Sequence, residues 1–109
     1  MGKNEYFNEY YINAINYFNQ SIEKNPNYIE PIFELAKIYY ELENYEYSYT
    51  FIKKAIQLSP NNTDLILFSA NVELKLKMFD IAEKKYNSIL NENPLNIKAY
   101  NGLSNLYFE

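Results

Sequence analysis

Two pairs of closely spaced carboxylates are the residues of this chain whose spacing could support acid–base chemistry. Glu30 and Glu34 lie one helical turn apart, and Glu41 and Glu43 are two residues apart. General acid–base catalysis needs a carboxyl group with a shifted pKa in a cleft that excludes water. Both pairs fall on polar stretches of predicted helix, so we expect them to aid solubility and to pair with lysines.

Several residue types on which enzymes and metal sites depend are absent. The chain contains no His or Cys, all ten basic residues are Lys, and the glycines are Gly2 and Gly102. It therefore lacks an imidazole base, a thiol nucleophile, a thiolate metal ligand and a Gly-rich phosphate loop. We predict that the protein is not an enzyme and that it binds no metal or cofactor.

The overall composition limits the kinds of partner. The 109 residues carry a net charge of −4 and no Arg, the residue best suited to phosphates and base edges, so nucleic-acid binding is not expected. No apolar stretch is long enough to span a membrane, and no membrane partner is expected. The absence of Cys fits a cytoplasmic location, which is our expectation.

The elements that would position a site follow from a sequence period. Pro26, Pro60 and Pro94 stand 34 residues apart, and each opens an Asn-rich turn. Such a period indicates stacked units, each unable to bury its apolar face alone. Between the turns, apolar residues recur at spacings of three and four, which predicts amphipathic helices. The predicted helices cover about 10–24, 29–42, 45–58, 63–76, 79–91 and 97–109, with Asn62 and Asn96 as N-cap candidates.

The residues at matched phase resemble the tetratricopeptide-repeat family. The family pattern has a bulky residue, Leu, a small residue and Tyr on its first helix, then a small residue, a large apolar one and Pro on its second. The pattern is met in order by Ile32, Leu35, Ala36, Tyr39, Ser48, Ile52 and Pro60. The next repeat meets it at Ile66, Ala70, Ala82, Tyr86 and Pro94 but has Ser69 in place of Leu and Glu73 in place of Tyr.

The resemblance implies an all-α fold, a right-handed α-solenoid of six helices in antiparallel pairs with about three repeat equivalents. It divides one domain, 1–109, into a partial repeat at 1–28, repeats at 29–62 and 63–96, and a half repeat or terminal helix at 97–109. The family's function implies a non-catalytic scaffold whose partner is a protein or peptide.

In such a solenoid the first helix of each pair lines the concave, ligand-binding side. We predict that an extended peptide is held there by side chains off the core stripe, with Asn amides on its backbone and large apolar groups on its side chains. An open alternative is that Tyr40, Leu74 and Phe108 pack between neighbouring first helices. The predicted groove residues are Phe33, Lys37, Tyr40, Leu67, Asn71, Leu74, Asn101, Asn105 and Phe108.

Some family members grip a C-terminal carboxylate with basic residues in this groove. Here Phe33, Leu67 and Asn101 stand where a basic residue would help, so chaperone-tail binding by that clamp is not expected.

A second hypothesis is head-to-tail self-association. The chain begins with a helix of the second type and ends with one of the first type, so one molecule's end could complete a repeat with the next molecule's start, through Leu103 and Tyr107. Such a contact would be heterologous and open-ended. The compatible alternative is that the sequence is a fragment of a longer array, with residues 5–8 the stub of a missing helix.

Overall fold

A computed structural model of the chain describes residues 2–108, with side chains from Glu9 onward. This described part contains helices and no strand. The helices are α1 (Gly2–Lys24), α2 (Ile29–Glu41), α3 (Tyr45–Leu58), α4 (Thr63–Lys75), α5 (Phe79–Glu92) and α6 (Ile97–Phe108).

These bounds confirm the predicted helices to within one residue, except at the start of the chain. There the predicted helix begins about residue 10, whereas α1 begins at Gly2. Residues 5–8 therefore belong to the backbone of α1 and are not the stub of another helix. The physical reason is that the segment between Gly2 and Lys24 contains no Pro or further Gly to interrupt the helical hydrogen bonds.

The turns inside the helix pairs α2–α3 and α4–α5 share one geometry, set by a residue in the left-handed region. Glu43 has φ 61° and Lys77, one period later, has φ 67°. After each, a backbone N–H reaches back to close the preceding helix: Asn44 N–H donates to Tyr39 O, and Met78 N–H to Glu73 O, both at 2.8 Å. This arrangement satisfies carbonyls at the helix end and reverses the chain in three residues.

Asparagine side chains begin the helices that follow the proline turns. Asn62 Oδ1 accepts from the backbone N–H groups of Asp64 and Leu65 at 3.0 and 3.4 Å. Asn96 Oδ1 accepts from the Ala99 N–H at 3.0 Å. Both predicted N-caps are therefore confirmed, and each satisfies backbone donors that the helix leaves without a partner.

The core lies between consecutive helices, in two clusters. Each helix packs against its neighbours in the chain, and α6 also packs against α4. Small residues allow close approach: Ser48 is fully buried, and its Oγ donates to Ala36 O at 2.7 Å across the α2–α3 contact. One cluster comprises Ile32, Ala36, Ile52, Ala55 and Leu65; the other comprises Leu67, Ala70, Ala82, Tyr86, Ile89 and Ala99.

The two departures from the family pattern on α4 form a buried polar network. Glu73 is fully buried, and its Oε2 accepts from Lys85 Nζ at 2.6 Å and from Tyr49 OH at 3.2 Å. Lys85 Nζ also donates to Ser69 Oγ at 3.0 Å. The network joins α3, α4 and α5 and supplies a cation and a hydroxyl donor to Glu73 Oε2, whereas the buried Oε1 has no hydrogen-bond partner among the described residues.

Across residues 2–108, no helix is both long enough and apolar enough to cross a lipid bilayer. The described residues form an all-α stack of helix pairs. In this stack α2, α4 and α6 are the first helices, and α1, α3 and α5 are of the second type.

Candidate functional site

Three cavities adjoin one another along α2, α4 and α6. An aromatic pocket of about 230 Å³ lies between α1 and α2, a middle pocket of about 300 Å³ between α2 and α4, and an amide pocket of about 590 Å³ between α4 and α6. Phe33 lines both the aromatic and the middle pocket, and Asn71 and Lys98 line both the middle and the amide pocket. We call this row of three pockets, in which each shares lining residues with the next, the groove.

Most of the predicted groove residues lie in these pockets. Phe33 and Leu67 line the middle pocket. Lys37 lines none of the three; its Nζ pairs with Glu34 at 2.9 Å and lies 4.5 Å from the centre of the Phe33 ring. Among the residues that line the amide pocket are Tyr40, Asn71, Leu74, Asn101, Asn105 and Phe108.

The apolar members of this set differ greatly in exposure. Leu67 is 8% and Leu74 6% exposed, and Leu67 belongs to a core cluster. Tyr40 is half-buried against Phe68, whereas Phe108 is 89% exposed. Most of the side-chain surface of Leu67, Leu74 and Tyr40 is therefore covered by neighbouring helices. Phe108, in contrast, leaves most of its ring surface available to a ligand.

Asn71 is held from beneath by a core tyrosine. The hydroxyl of Tyr86 donates to Asn71 Oδ1 at 2.5 Å, and Tyr86 is fully buried. Burial raises the pKa of this hydroxyl, and the nearby Tyr40 and Glu73 raise it further. The hydroxyl is therefore a stable donor that occupies the carbonyl oxygen of the Asn71 amide. The amide nitrogen is then the group with which Asn71 can bind a ligand carbonyl.

The floor of the amide pocket depends on Gly102. This residue is buried in the middle of α6, and a Cβ atom there would overlap Cε1 and Cζ of the Tyr86 ring. One period earlier the same position is Phe68 on α4, which fills the corresponding space beside α2. At Gly102 the adjacent space is filled by the Tyr86 ring instead, and Gly102 is among the residues that line the amide pocket.

Phe68 is a groove residue that the sequence interpretation missed. Its ring contacts Phe33 edge-on, with ring centres 5.4 Å apart, and contacts Tyr40 at 5.4 Å. It lines the middle pocket and connects α2 to α4. The period could have indicated it, because Gly102 and Phe68 are in phase and differ more in size than their neighbours do.

Comparison with known proteins identifies the architecture. No protein-family model matches the chain, and no curated protein matches it. A solved structure described as the first TPR of Spaghetti (RPAP3) bound to HSP90 peptide SRMEEVD superposes with a TM-score of 0.81. The match covers 95% of this chain and 83% of that one, at 22% sequence identity. The chain has the tetratricopeptide-repeat (TPR) fold.

Within this TPR fold, the two residues predicted for self-association have different surroundings. Leu103 is half-buried against the core cluster that contains Tyr86. Tyr107 is 66% exposed, and its hydroxyl donates to Glu83 Oε2 at 2.7 Å, which raises its pKa. Tyr107 is therefore the one of the two with free surface on α6.

The carboxylate pairs of the TPR fold lie at its surface. Glu41 and Glu43 are exposed, and Glu41 Oε2 accepts from Tyr11 OH at 2.6 Å. Glu34 pairs with Lys37 on its own helix, as predicted for surface carboxylates. Glu30 and Glu34 border the pocket between α1 and α2 but remain exposed to water there, and Glu41 and Glu43 line none of the three pockets. The described residues also contain no group of three acidic side chains suited to a metal ion.

Proposed function

We propose that this chain is a non-catalytic interaction module that binds an extended segment of another protein in the groove of α2, α4 and α6. The observation that carries the proposal is the continuity of the three pockets through Phe33, Asn71 and Lys98. A continuous groove suits an extended chain better than a compact small molecule. The solved TPR structure with a bound peptide supports this kind of ligand.

Amide side chains are the groups we assign to the peptide backbone. Asn101 and Asn105 are exposed, lie one turn apart on α6 and line the amide pocket. Asn71 faces them from α4, with its carbonyl oxygen occupied by Tyr86. Together the three amides offer donors and acceptors to an extended backbone, while Phe108 offers apolar contact. The proposal concerns an extended peptide in general and not the sequence bound by the solved structure.

The test uses random octapeptides displayed on phage and selected on the immobilised chain, with one enriched peptide then measured by fluorescence anisotropy. Asn101→Ala with Asn105→Ala should weaken binding about tenfold, because two hydrogen bonds are lost. The matched control is Asn87→Ala with Asn91→Ala, both exposed on α5 and outside the three pockets. Selection of no peptide, or equal weakening by both pairs, would contradict the proposal.

Asn71→Ala is unsuitable for this test. It would leave the buried Tyr86 hydroxyl without its acceptor, which costs stability as well as binding. The effect on binding could then not be separated from an effect on folding.

Self-association through α6 is a second candidate. Ser104 and Tyr107 are exposed, whereas Ala70 and Glu73, one period earlier on α4, are fully buried against α5. On α4 this face is covered by α5, whereas the corresponding face of α6 is exposed to solvent. The surface that would pack against this face of α6 in a second molecule lies on α1. There Phe18 is half-buried, whereas Ile52, one period later on α3, is fully buried.

Sedimentation velocity over a hundredfold concentration range tests this candidate. Tyr100 is an exposed tyrosine of α6 about two turns before Tyr107, and therefore on the same face. Replacing Tyr100 and Tyr107 together by Ser should remove species larger than the 13.0 kDa chain, whereas Ile81→Ser on the outside of α5 should not. Wild-type protein that remains monomeric throughout would contradict self-association and leave the groove proposal intact.

A further inference from the structure

The charged residues of the groove are sorted by sign along its length. Glu30 and Glu34 line the aromatic pocket at the α1–α2 end, and the described residues that line it include no lysine. The middle pocket has one of each sign, Asp64 and Lys98. The amide pocket at the α4–α6 end has Lys75 and Lys98, and among its described lining residues there is no carboxylate. The groove is therefore negative at one end and positive at the other.

The aromatic pocket has the chemistry of a site for a cationic side chain. Four aromatic rings line it: Tyr17, Phe18, Tyr28 and Phe33. The face of an aromatic ring attracts a cation, and an adjacent carboxylate adds a direct ionic partner. Glu30 is held at the pocket by the Tyr28 hydroxyl, which donates to its Oε2 at 2.9 Å.

An ammonium group of the chain itself already adopts this kind of contact beside the pocket. Lys37 Nζ lies 4.5 Å from the centre of the Phe33 ring and 2.9 Å from Glu34 Oε1. The side chains of Lys37 and Glu34 are 41% and 44% exposed, so their ion pair is weak. The pair can therefore rearrange when a second cation binds. Phe33 and Glu34 are thus placed to bind an ammonium or guanidinium group.

We propose that the groove selects a dipolar peptide, with a Lys or Arg side chain in the aromatic pocket and an Asp or Glu side chain at Lys75 and Lys98. The inference rests on the proposed function, since it assigns the ligand chemistry of the same groove. Charge complementarity is the argument: a wholly acidic peptide would meet Glu30 and Glu34 at one end, and a wholly basic peptide would meet the two lysines at the other.

The experiment is the selection of random octapeptides on three forms of the chain, with the enriched peptides sequenced. An extended octapeptide spans about 26 Å, enough to reach from one pocket towards the other. Wild-type protein should enrich peptides that carry a basic residue near one end and an acidic residue near the other. Glu30→Gln with Glu34→Gln should remove enrichment of the basic residue alone, and Lys75→Gln with Lys98→Gln should remove enrichment of the acidic residue alone.

Matched control pairs make the same changes of charge outside the groove. Glu46→Gln with Glu92→Gln, and Lys54→Gln with Lys84→Gln, alter exposed residues that line none of the three pockets. These controls should leave the enriched sequences unchanged.

The possible outcomes separate this inference from the proposed function. Enriched peptides without a basic residue, or a basic preference that survives loss of both glutamates, would overturn the dipolar inference and leave peptide binding in place. Failure to enrich any peptide would overturn both. A basic preference that the control glutamate pair also removes would show a response to net charge and would overturn the assignment to the aromatic pocket.

Discussion

The ring of Tyr86 occupies the volume that a Cβ atom on Gly102 would need. The two residues face each other across the α5–α6 contact, where Tyr86 is fully buried and its hydroxyl continues past Gly102 to Asn71 in the groove. The large side chain of Tyr86 on α5 therefore requires the absence of a side chain at Gly102 on α6. This absence lets the Tyr86 hydroxyl reach Asn71, and Gly102 and Asn71 both line the amide pocket.

Replacing Gly102 by Ala should destabilise the fold by about 1–3 kcal/mol, because the added methyl group overlaps the Tyr86 ring. In a Tyr86→Ile background, which installs the residue type of Ile52 in the same phase, the overlap is removed. There Gly102→Ala should be neutral or stabilising, since Ala favours a helix interior over Gly. The measurement is the free energy of unfolding in urea of the wild type, the two single variants and the double variant. If Gly102→Ala destabilised the protein equally in both backgrounds, the overlap with Tyr86 would not be the cause.

The buried Glu73–Lys85 pair should respond asymmetrically to mutation. Lys85→Met should cost about 3 kcal/mol, because it leaves the Glu73 carboxylate buried without its cation. Adding Glu73→Met should recover most of that loss, and the exposed control Lys84→Met should have little effect. The measurement is again the free energy of unfolding in urea. A double variant at least as unstable as Lys85→Met would show that the charge is not the cause.

Replacing the turn residue Glu43 by glycine should raise the stability of the folded protein. Its φ of 61° disfavours any side chain with a Cβ atom, so Glu43→Gly should stabilise the protein by about 1 kcal/mol. Glu43→Ala serves as the control, since it removes the same charge and keeps the Cβ atom. Thermal unfolding that ranks Ala equal to or above Gly would contradict the conformational argument.

Stability should fall at alkaline pH through the buried Tyr86. Burial raises the pKa of Tyr86 above its ordinary value of 10.0, so the folded state holds this proton more tightly than the unfolded chain does. Stability from this group is fully present below about pH 10 and declines as pH rises further. Urea unfolding between pH 9 and 11 should show the decline, and Tyr86→Phe should lessen it. Equal slopes in the wild-type protein and in Tyr86→Phe would exclude Tyr86 as the source.

The period and the helix ends could be predicted from the sequence because they depend on local interactions. The proline turns and the Asn62 and Asn96 caps act within a few residues of the chain, so their chemistry is visible in order along it. The start of α1 could not be placed, because residues 2–9 carry neither a Pro nor an interior Gly to mark a boundary.

The depth of the groove could not be predicted, because it depends on contacts between repeats. The phase of Leu67 predicted a surface position, but Leu67 is buried in the core cluster that also contains Tyr86 and Ala99. Glu73 read as a simple departure from the family pattern, yet it pairs with a lysine 12 positions away on another helix. The need for Gly at position 102 comes from the Tyr86 ring on another helix, so it is not visible in the local sequence.

The central claim is that ligands bind along α2, α4 and α6. The most direct measurement is a titration of the ¹⁵N-labelled chain with a phage-selected octapeptide, followed by two-dimensional NMR. If the peptide lies in the groove, the largest shifts should occur at the amide groups of Asn71, Asn101 and Asn105, with little change at the exposed outer positions Lys54 and Lys84. Shifts concentrated on the outer faces of α3 and α5, with the groove amides unmoved, would contradict it.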